Sequence, residues 1–343
     1  MLIVGAGPSG LAVAAALARH GVACDLVDEH GAPGGAYARA YAGMRLASPA
    51  RYNALPGLPL ESRGDVTTAG GYHDYLARYA SHHRLGIRRA RVARVERRGG
   101  TFIADDGVSQ TPHDAVVAAS GMFAFPKGAP IAGLESHPAV IHAARWQGPQ
   151  PWSGKRLLVV GGGTSAVEIA EECAAAGVAV CLAARRLHLG PRRMLGRDVH
   201  DFAFLVDWLP PPLAGGFCRS ARALPAGSDD FRALQRAGRI VLRGGVARFE
   251  GTTAHFAEGA SGEFDGVVLA TGYRFETPYL PAEVARREPN RALVADAGRS
   301  VSWPGLFVVG HACTRRVDSQ FLRGIARDAL RVASQVAAWT RRP

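Results

Sequence analysis

The chain opens Met1-Leu2-Ile3-Val4-Gly5-Ala6-Gly7-Pro8-Ser9-Gly10, and everything after it is read from this stretch. Leu2, Ile3 and Val4 form a short apolar run of the kind that makes a buried parallel strand. Gly5, Gly7 and Gly10 follow as GxGxxG, and Leu11 to His20 continues as an alanine-rich helix. In such a strand–turn–helix the first glycine permits a tight turn and the second lets backbone approach a pyrophosphate. The third lets the helix pack close to the strand. The helix N-terminus then offers unpaired N–H groups and a positive dipole end to the phosphates. Val22 to Val27 predicts the next strand, with Asp28 and Glu29 at its end. A carboxylate there accepts from a ribose hydroxyl and repels a 2′-phosphate. Gly5, Gly7, Pro8, Ser9, Gly10, Asp28 and Glu29 are the expected dinucleotide-binding residues of this first unit.

The opening pattern returns later. Leu157 to Val160 reads as a strand, Gly161-Gly162-Gly163-Thr164-Ser165-Ala166 as a second glycine turn, and Val167 to Ala176 as a helix. The first glycines of the two turns are 161 − 5 = 156 positions apart, which makes this an internal repeat of a nucleotide-binding unit. The strand that follows, Val178 to Leu182, ends in Ala183-Ala184-Arg185-Arg186 where the first unit has its acid. An arginine at this edge can pair with a ribose 2′-phosphate, and no carboxylate repels it. A solvated arginine pair at a strand end is the alternative. Gly161, Gly163, Thr164, Ser165 and Arg185 are the expected residues of this second site, with NADPH preferred over NADH.

The fold class that follows is α/β, with two Rossmann-like dinucleotide-binding domains, the second inserted in the first. At 343 residues, 48% hydrophobic and 20% charged, the chain has the size and composition of a globular protein of two ordinary domains. No apolar run is long enough to span a bilayer. The first strand begins at residue 2, so no leader peptide is expected and a cytoplasmic location is the default. The net charge of +12 comes almost wholly from scattered arginines, since Lys127 and Lys155 are the only lysines. No nucleic-acid module accompanies them, and a basic cleft for an anionic cofactor is the more economical use. None of the five cysteines (Cys24, Cys173, Cys181, Cys218, Cys313) forms a CxxC pair, which argues against a zinc ribbon and a redox dithiol.

Between the glycine units, Ala32-Pro33-Gly34-Gly35-Ala36-Tyr37 is a turn able to lie against a flat ligand. Gly71 to His83, with Tyr72, Tyr75, Leu76 and Tyr79, has helical amphipathic spacing. Ile87 to Val95 and Thr101 to Ala104 read as strands of a small meander, and Ala115 to Ala119 as another apolar strand. Pro126 to Pro151 is proline-rich and reads as a loop and inter-domain crossing. After the second unit, Ile240 to Leu242, Val246 to Phe249, Thr253 to Phe256, Val267 to Leu269 and Leu306 to Val309 read as strands. Residues 321–338 close the chain as a helix burying Leu322, Ile325, Ala329, Val332 and Val336.

With these residues in view, the layout resembles the two-dinucleotide-binding-domain flavoproteins. In detail it is similar to the flavin-containing monooxygenases, including the plant auxin-forming type and its bacterial relatives. GAGPSG with Asp28, the Gly34-Gly35 turn, GGGTSA, Pro191-Arg192-Arg193-Met194-Leu195-Gly196-Arg197 and Ala270-Thr271-Gly272-Tyr273 carry the resemblance over nearly the whole chain. It implies FAD in a discontinuous domain of residues 1–150 and 273–343, and NADPH in residues 151–272. It further implies a flavin hydroperoxide formed from molecular oxygen, which oxygenates a small nucleophilic substrate at a heteroatom or activated carbon. Gly35 and Gln320 join the FAD site, Gln320 by lying just before the final helix. No catalytic acid or base is then required, and no metal is expected. The protein is also read as a possible homo-oligomer.

The departures from the family matter as well. The fingerprint FxGxxxHxxx with a following aromatic falls on residues 136–146, where Ser136 and Pro138 replace the Phe and the Gly while His142 and Trp146 remain. His142 is the candidate cofactor contact of this linker, or it satisfies a loop hydrogen bond; His137 reads as a surface loop residue. The Asp of Baeyer–Villiger members and the Asn of many heteroatom-oxidising members would both fall near Ala47, so ketone oxygenation ranks below heteroatom oxygenation. Two other readings stay open: a flavin reductase of the ferredoxin- or thioredoxin-reductase type, and a nucleotide-binding redox sensor without turnover.

Overall fold

The computed structural model describes residues 1–41, 44–61, 66–187, 189–202, 204–207, 226–285, 295–311 and 314–341. Chain order gives β1 (Leu2–Val4), α1 (Pro8–Arg19), β2 (Asp25–Asp28), α2 (Ala69–His82), β3 (Ile87–Arg89) and β4 (Val116–Ala118). It continues with β5 (Val140–His142), β6 (Arg156–Val160), α3 (Thr164–Ala175), β7 (Ala179–Ala183), β8 (Ile240–Arg243), β9 (Gly266–Leu269), β10 (Leu306–Val308) and α4 (Leu322–Thr340). The chain divides into two compact units. One holds Met1–Phe125, Arg274–Pro343 and Ala203–Ala221, of which the short helix Phe204–Asp207 is described; the other holds Pro126–Phe202 and Arg222–Tyr273. The first crossing falls at Phe125/Pro126, before the proline-rich stretch rather than after it, because β5 within that stretch joins the second unit's sheet.

In the first unit the parallel strands run in the order β10-β4-β1-β2-β3, extended beyond β10 by the antiparallel pair Ala295–Asp296 and Arg299–Ser300. Both faces are covered, which is why the strands read as continuous apolar runs. Ile3, Val117 and Phe307 point to the side packed by α1, α2 and α4, with Leu11, Leu17, Ile325, Ala329, Val332 and Val336. Leu2, Val4, Val116 and Val308 point to the other side, against Val95 and Phe102 of an antiparallel meander (Arg94–Arg98, Thr101–Asp105, Gln110–His113). Each such fully buried aliphatic side chain contributes about 1.5–3 kcal/mol. The five apolar-face residues predicted for the closing helix are all buried.

Helix α2 begins where Thr68 accepts the N–H of Gly71 at 3.1 Å. Its Tyr72, Tyr75 and Tyr79 lie on one buried face, three and four residues apart, and reach into the irregular segment that precedes them. The Tyr72 hydroxyl donates to Asn53 O (3.0 Å), that of Tyr75 to Leu58 O (2.8 Å) and that of Tyr79 to Pro56 O (2.8 Å). Leu55 N donates in turn to the Tyr75 hydroxyl at 2.7 Å.

The second unit repeats the plan: a five-stranded, all-parallel sheet ordered β8-β7-β6-β9-β5, with α3 following β6. A three-stranded meander, Val246–Glu250, Thr253–Phe256 and Ser261–Glu263, adds Phe249 and Phe256 to its core. Among the described residues no helix is long and apolar enough to cross a membrane.

Candidate functional site

In the first unit the turn after β1 is held by Gly5 N donating to Val27 O at 2.7 Å. Gly5 sits at φ +106°, and a Cβ there would stand 2.6 Å from Ala119 O. A Cβ at Gly10 would overlap Gly5 O, so α1 can only lie this close to the loop with glycine at that position. Gly7 is different. Its φ is −77°, and a Cβ would make one ordinary contact, 3.8 Å to Gly35 Cα. The protein itself has room for a side chain at Gly7, beside a helix N-terminus that no side chain caps.

Asp28, at the end of β2, accepts Ala6 N through Oδ2 (3.0 Å) and His30 N through Oδ1 (2.9 Å). Each oxygen keeps a second lone pair for a ribose hydroxyl. Glu29 beside it is exposed and lies 3.3 Å from His30 and 4.0 Å from Arg39. Gly34 N donates to Ala6 O at 3.0 Å, which folds the Gly34-Gly35 turn onto the glycine loop. Pro8 starts α1, and Ser9 is buried with its Oγ against Gly310 at the end of β10. Gln320 ends the short turn Val317–Gln320 directly before α4, whose first turn has no side-chain cap. The fold thus gathers Gly5, Gly7, Pro8, Ser9, Gly10, Asp28 and Gly35 at the carboxyl ends of parallel strands.

The second unit has the same construction. Gly161 N donates to Ala183 O at 2.9 Å, its φ is +152°, and a Cβ there would overlap Ala270 O. Gly163 is the residue before α3 and has no side-chain cap, leaving the N–H groups at Thr164 and Ser165 facing outward from the turn. At the end of β7, where Asp28 stands in the first unit, are Ala183, Ala184 and then the exposed Arg185. Arg185 makes no ion pair among the described residues. Inside α3, burial raises the Glu168 carboxyl to about 7, helped by Glu172 and Glu171 and opposed by Arg192. Nothing in the residue spacing alone marks Glu168 out, because its perturbation comes from packing.

His142 ends β5. Ala144 N donates to its Nδ1 (3.0 Å), which leaves the proton on Nε2 to donate to Gly272 O (3.1 Å). Both ring nitrogens are engaged by backbone, so the imidazole has the loop-ordering role and no N–H left to offer a nucleotide. Trp146 is buried and donates its indole N–H to Glu172 Oε2 at 2.9 Å, tying the linker to α3. His137 is not at the surface: it is 5% exposed, with Nδ1 accepting from Ala139 N and Nε2 reaching Phe264 O at 3.1 Å. The proline-rich stretch around it runs along the second unit, burying Leu134, His137 and Trp146 and adding Val140–His142 to the sheet, and that is the physical reason for the difference. Burial pushes the thiols of Cys173 and Cys181 up to about 12 and about 11, and raises that of Cys24. Cys218 and Cys313 lie outside the described residues. Among those described, no cluster of His, Cys, Asp and Glu could hold a metal.

Two glycine-loop sites on parallel sheets, one ending in an acid and one in an arginine, define a two-nucleotide oxidoreductase. The chain belongs to the pyridine nucleotide-disulphide oxidoreductase family, whose model matches residues 2–194. It is 27% identical over 387 aligned positions to the indole-3-pyruvate monooxygenase YUCCA8 of Oryza sativa, covering 98% of this chain and 90% of that one. The flavin-containing monooxygenase of Stenotrophomonas maltophilia superposes with a TM-score of 0.82 at 25% identity, over 99% of this chain and 98% of that one. A bacillithiol disulfide reductase of Staphylococcus aureus shares the fold, with a TM-score of 0.75 at 16% identity over 99% and 98% of the two chains. This enzyme is accordingly a monooxygenase that depends on FAD and NADPH.

Proposed function

We propose that the first unit holds FAD, that the second holds NADPH, and that one oxygen atom is delivered to a small nucleophilic substrate at a heteroatom or activated carbon. When bound, FAD supplies the redox chemistry, taking electrons from NADPH and passing them to molecular oxygen. Overall, NADPH, a proton, oxygen and the substrate give NADP⁺, water and the oxygenated product. The α1 N-terminus with Gly7 receives the FAD pyrophosphate, and Asp28 accepts from its ribose. The α3 N-terminus with Gly163, Thr164 and Ser165 receives the second pyrophosphate, and Arg185 takes the 2′-phosphate. A cytoplasmic location belongs to the same reading.

The observation that carries the cofactor assignment is the change of charge at equivalent strand ends: Asp28-Glu29 follow Val27 in the first unit, and Ala184-Arg185 follow Ala183 at the matching register of the second. The thiols support oxygenation over disulfide reduction. The chain has no CxxC, and burial raises the thiols of Cys24, Cys173 and Cys181, which disfavours at these three positions the thiolate that disulfide exchange needs.

Anaerobic reduction of the purified protein by NADPH, followed by mixing with oxygen in a stopped-flow spectrometer, tests this. The panel of substrates spans sulfides, amines and 2-oxo acids, the last because the curated relatives are named for indole-3-pyruvate. NADPH consumption matched by oxygenated product supports the reading. Peroxide release with rapid electron delivery to ferredoxin favours a reductase, and cofactor binding without NADPH consumption favours a sensor.

A further inference from the structure

The chain leaves β8 through Gly244-Gly245 and enters the second unit's meander at Val246. β8 runs parallel to β7 with Arg243 beside Ala183, and Ala184 N donates to Arg243 O at 3.1 Å. The two glycines therefore pass alongside the end of β7, where Arg185 emerges. A Cβ at Gly244 would overlap the Glu258 carboxylate, and one at Gly245 would stand 2.6 Å from Arg185 Cγ. Each bare position is filled by a charged side chain, Glu258 on one and the Arg185 stem on the other.

Backbone strain is not what reserves position 245 for glycine, since its φ lies outside the left-handed region. The turn is also fixed from behind. Gly245 O accepts Ala257 N at 2.8 Å, and Gly244 N donates to Glu258 Oε1 at 3.1 Å. A side chain at 245 would have to displace Arg185 instead. The atom in its way is Cγ, whose place is set by χ1, so making room means a different rotamer and a new direction for the whole side chain. Arg185 is exposed, and another rotamer is open to it.

We propose that Gly245 is a positioning residue for nucleotide specificity. By carrying no side chain it lets the Arg185 stem rest on this turn, which sets where the guanidinium meets an adenosine 2′-phosphate. This rests on the assignment of the 2′-phosphate to Arg185. An exposed arginine loses rotamer freedom when it grips a phosphate, and a surface that already holds its stem lessens that cost. A nucleotide without the 2′-phosphate gains nothing from the arrangement and is indifferent to the residue at 245.

The test is titration calorimetry of the full-length protein with NADP⁺ and NAD⁺, which differ only in the 2′-phosphate and leave the flavin unreduced. Gly245→Val should weaken NADP⁺ binding between about threefold and tenfold, part of one charge-assisted hydrogen bond, and leave NAD⁺ within about twofold. Gly245→Ala, a smaller obstacle, loses less, and it carries the test should the larger variant melt early. In an Arg185→Ala background, Gly245→Val should change neither affinity, because the residue it acts through is gone. A loss shared equally by the two nucleotides, no loss for either, or a loss that persists without Arg185 overturns the proposal. Arg185→Ala binding NADP⁺ as tightly as wild type overturns instead the assignment of the 2′-phosphate to Arg185.

Discussion

The Asp28 carboxylate accepts the backbone N–H of Ala6 at 3.0 Å, so the acid at the end of one strand fixes the glycine loop at the end of its neighbour. The residue proposed to read a ribose thus also shapes the turn proposed to receive the pyrophosphate. Asp28→Ala leaves the N–H groups of Ala6 and His30 without their acceptor, and hydrogen bonds to a charged group contribute about 1.5–3 kcal/mol each. We expect it to lower both the cofactor-free melting point and FAD affinity, the latter by roughly tenfold or more. Asp28→Asn, which keeps one acceptor oxygen, loses less of each. Calorimetric melting with and without FAD checks both.

The glycines of one loop separate folding from binding. Gly10→Ala drives a methyl into Gly5 O and should destabilise the cofactor-free protein by about 3 kcal/mol, the range of overpacking. Gly7→Ala meets only Gly35 Cα at 3.8 Å and should cost the free protein under about 1 kcal/mol, the scale of an N-cap change. Its effect falls on FAD. Urea denaturation of the flavin-free variants, beside flavin content after purification, distinguishes the two; similar losses of stability would show that Gly7 serves packing as Gly10 does.

At the second site, Arg185→Ala should raise KM for NADPH by about tenfold and leave that for NADH nearly unchanged, because only NADPH carries the 2′-phosphate. Steady-state kinetics with both nucleotides decides it. Equal changes would remove the 2′-phosphate contact from the account.

Glu168 gives a pH dependence of definite sign. Its carboxyl titrates at about 7 in the folded chain, against an ordinary value of 4.5. Between these values the folded state binds the extra proton, so stability falls as pH rises from about 4.5 to about 7. The full excursion is on the order of 3 kcal/mol at 1.36 kcal/mol per unit. Glu168→Gln should flatten this limb and melt higher than wild type at pH 8. Melting points of the two proteins between pH 5 and pH 8 test it, and parallel curves would assign the limb to another group.

Much of this was legible in the residues. Leu2-Ile3-Val4 and Leu157 to Val160 are apolar on both faces because both faces are covered, and glycine spacing marks where each helix starts. Other features depended on distant partners. Ile87 to Val95 reads as one strand, yet Ile87–Arg89 pairs with β2 while Arg94–Arg98 turns into the meander. The prolines of 126–151 conceal β5, whose three residues become a strand only because β9 offers an edge. His142 reads as a candidate cofactor contact until Ala144 N and Gly272 O are found on its two nitrogens.

The three phenols of α2 grip Asn53, Pro56 and Leu58 by their carbonyl oxygens. A carbonyl is present whatever side chain its residue carries. The helix therefore holds this segment at three points that are indifferent to side-chain identity. Between them the chain is held by what its residues are: Leu55 is buried in the core, and Gly57, at φ +96°, has no room for a side chain. A substitution at Asn53, Pro56 or Leu58 would keep the carbonyl that its tyrosine grips, whereas one at Tyr72, Tyr75 or Tyr79 would release a whole turn of backbone.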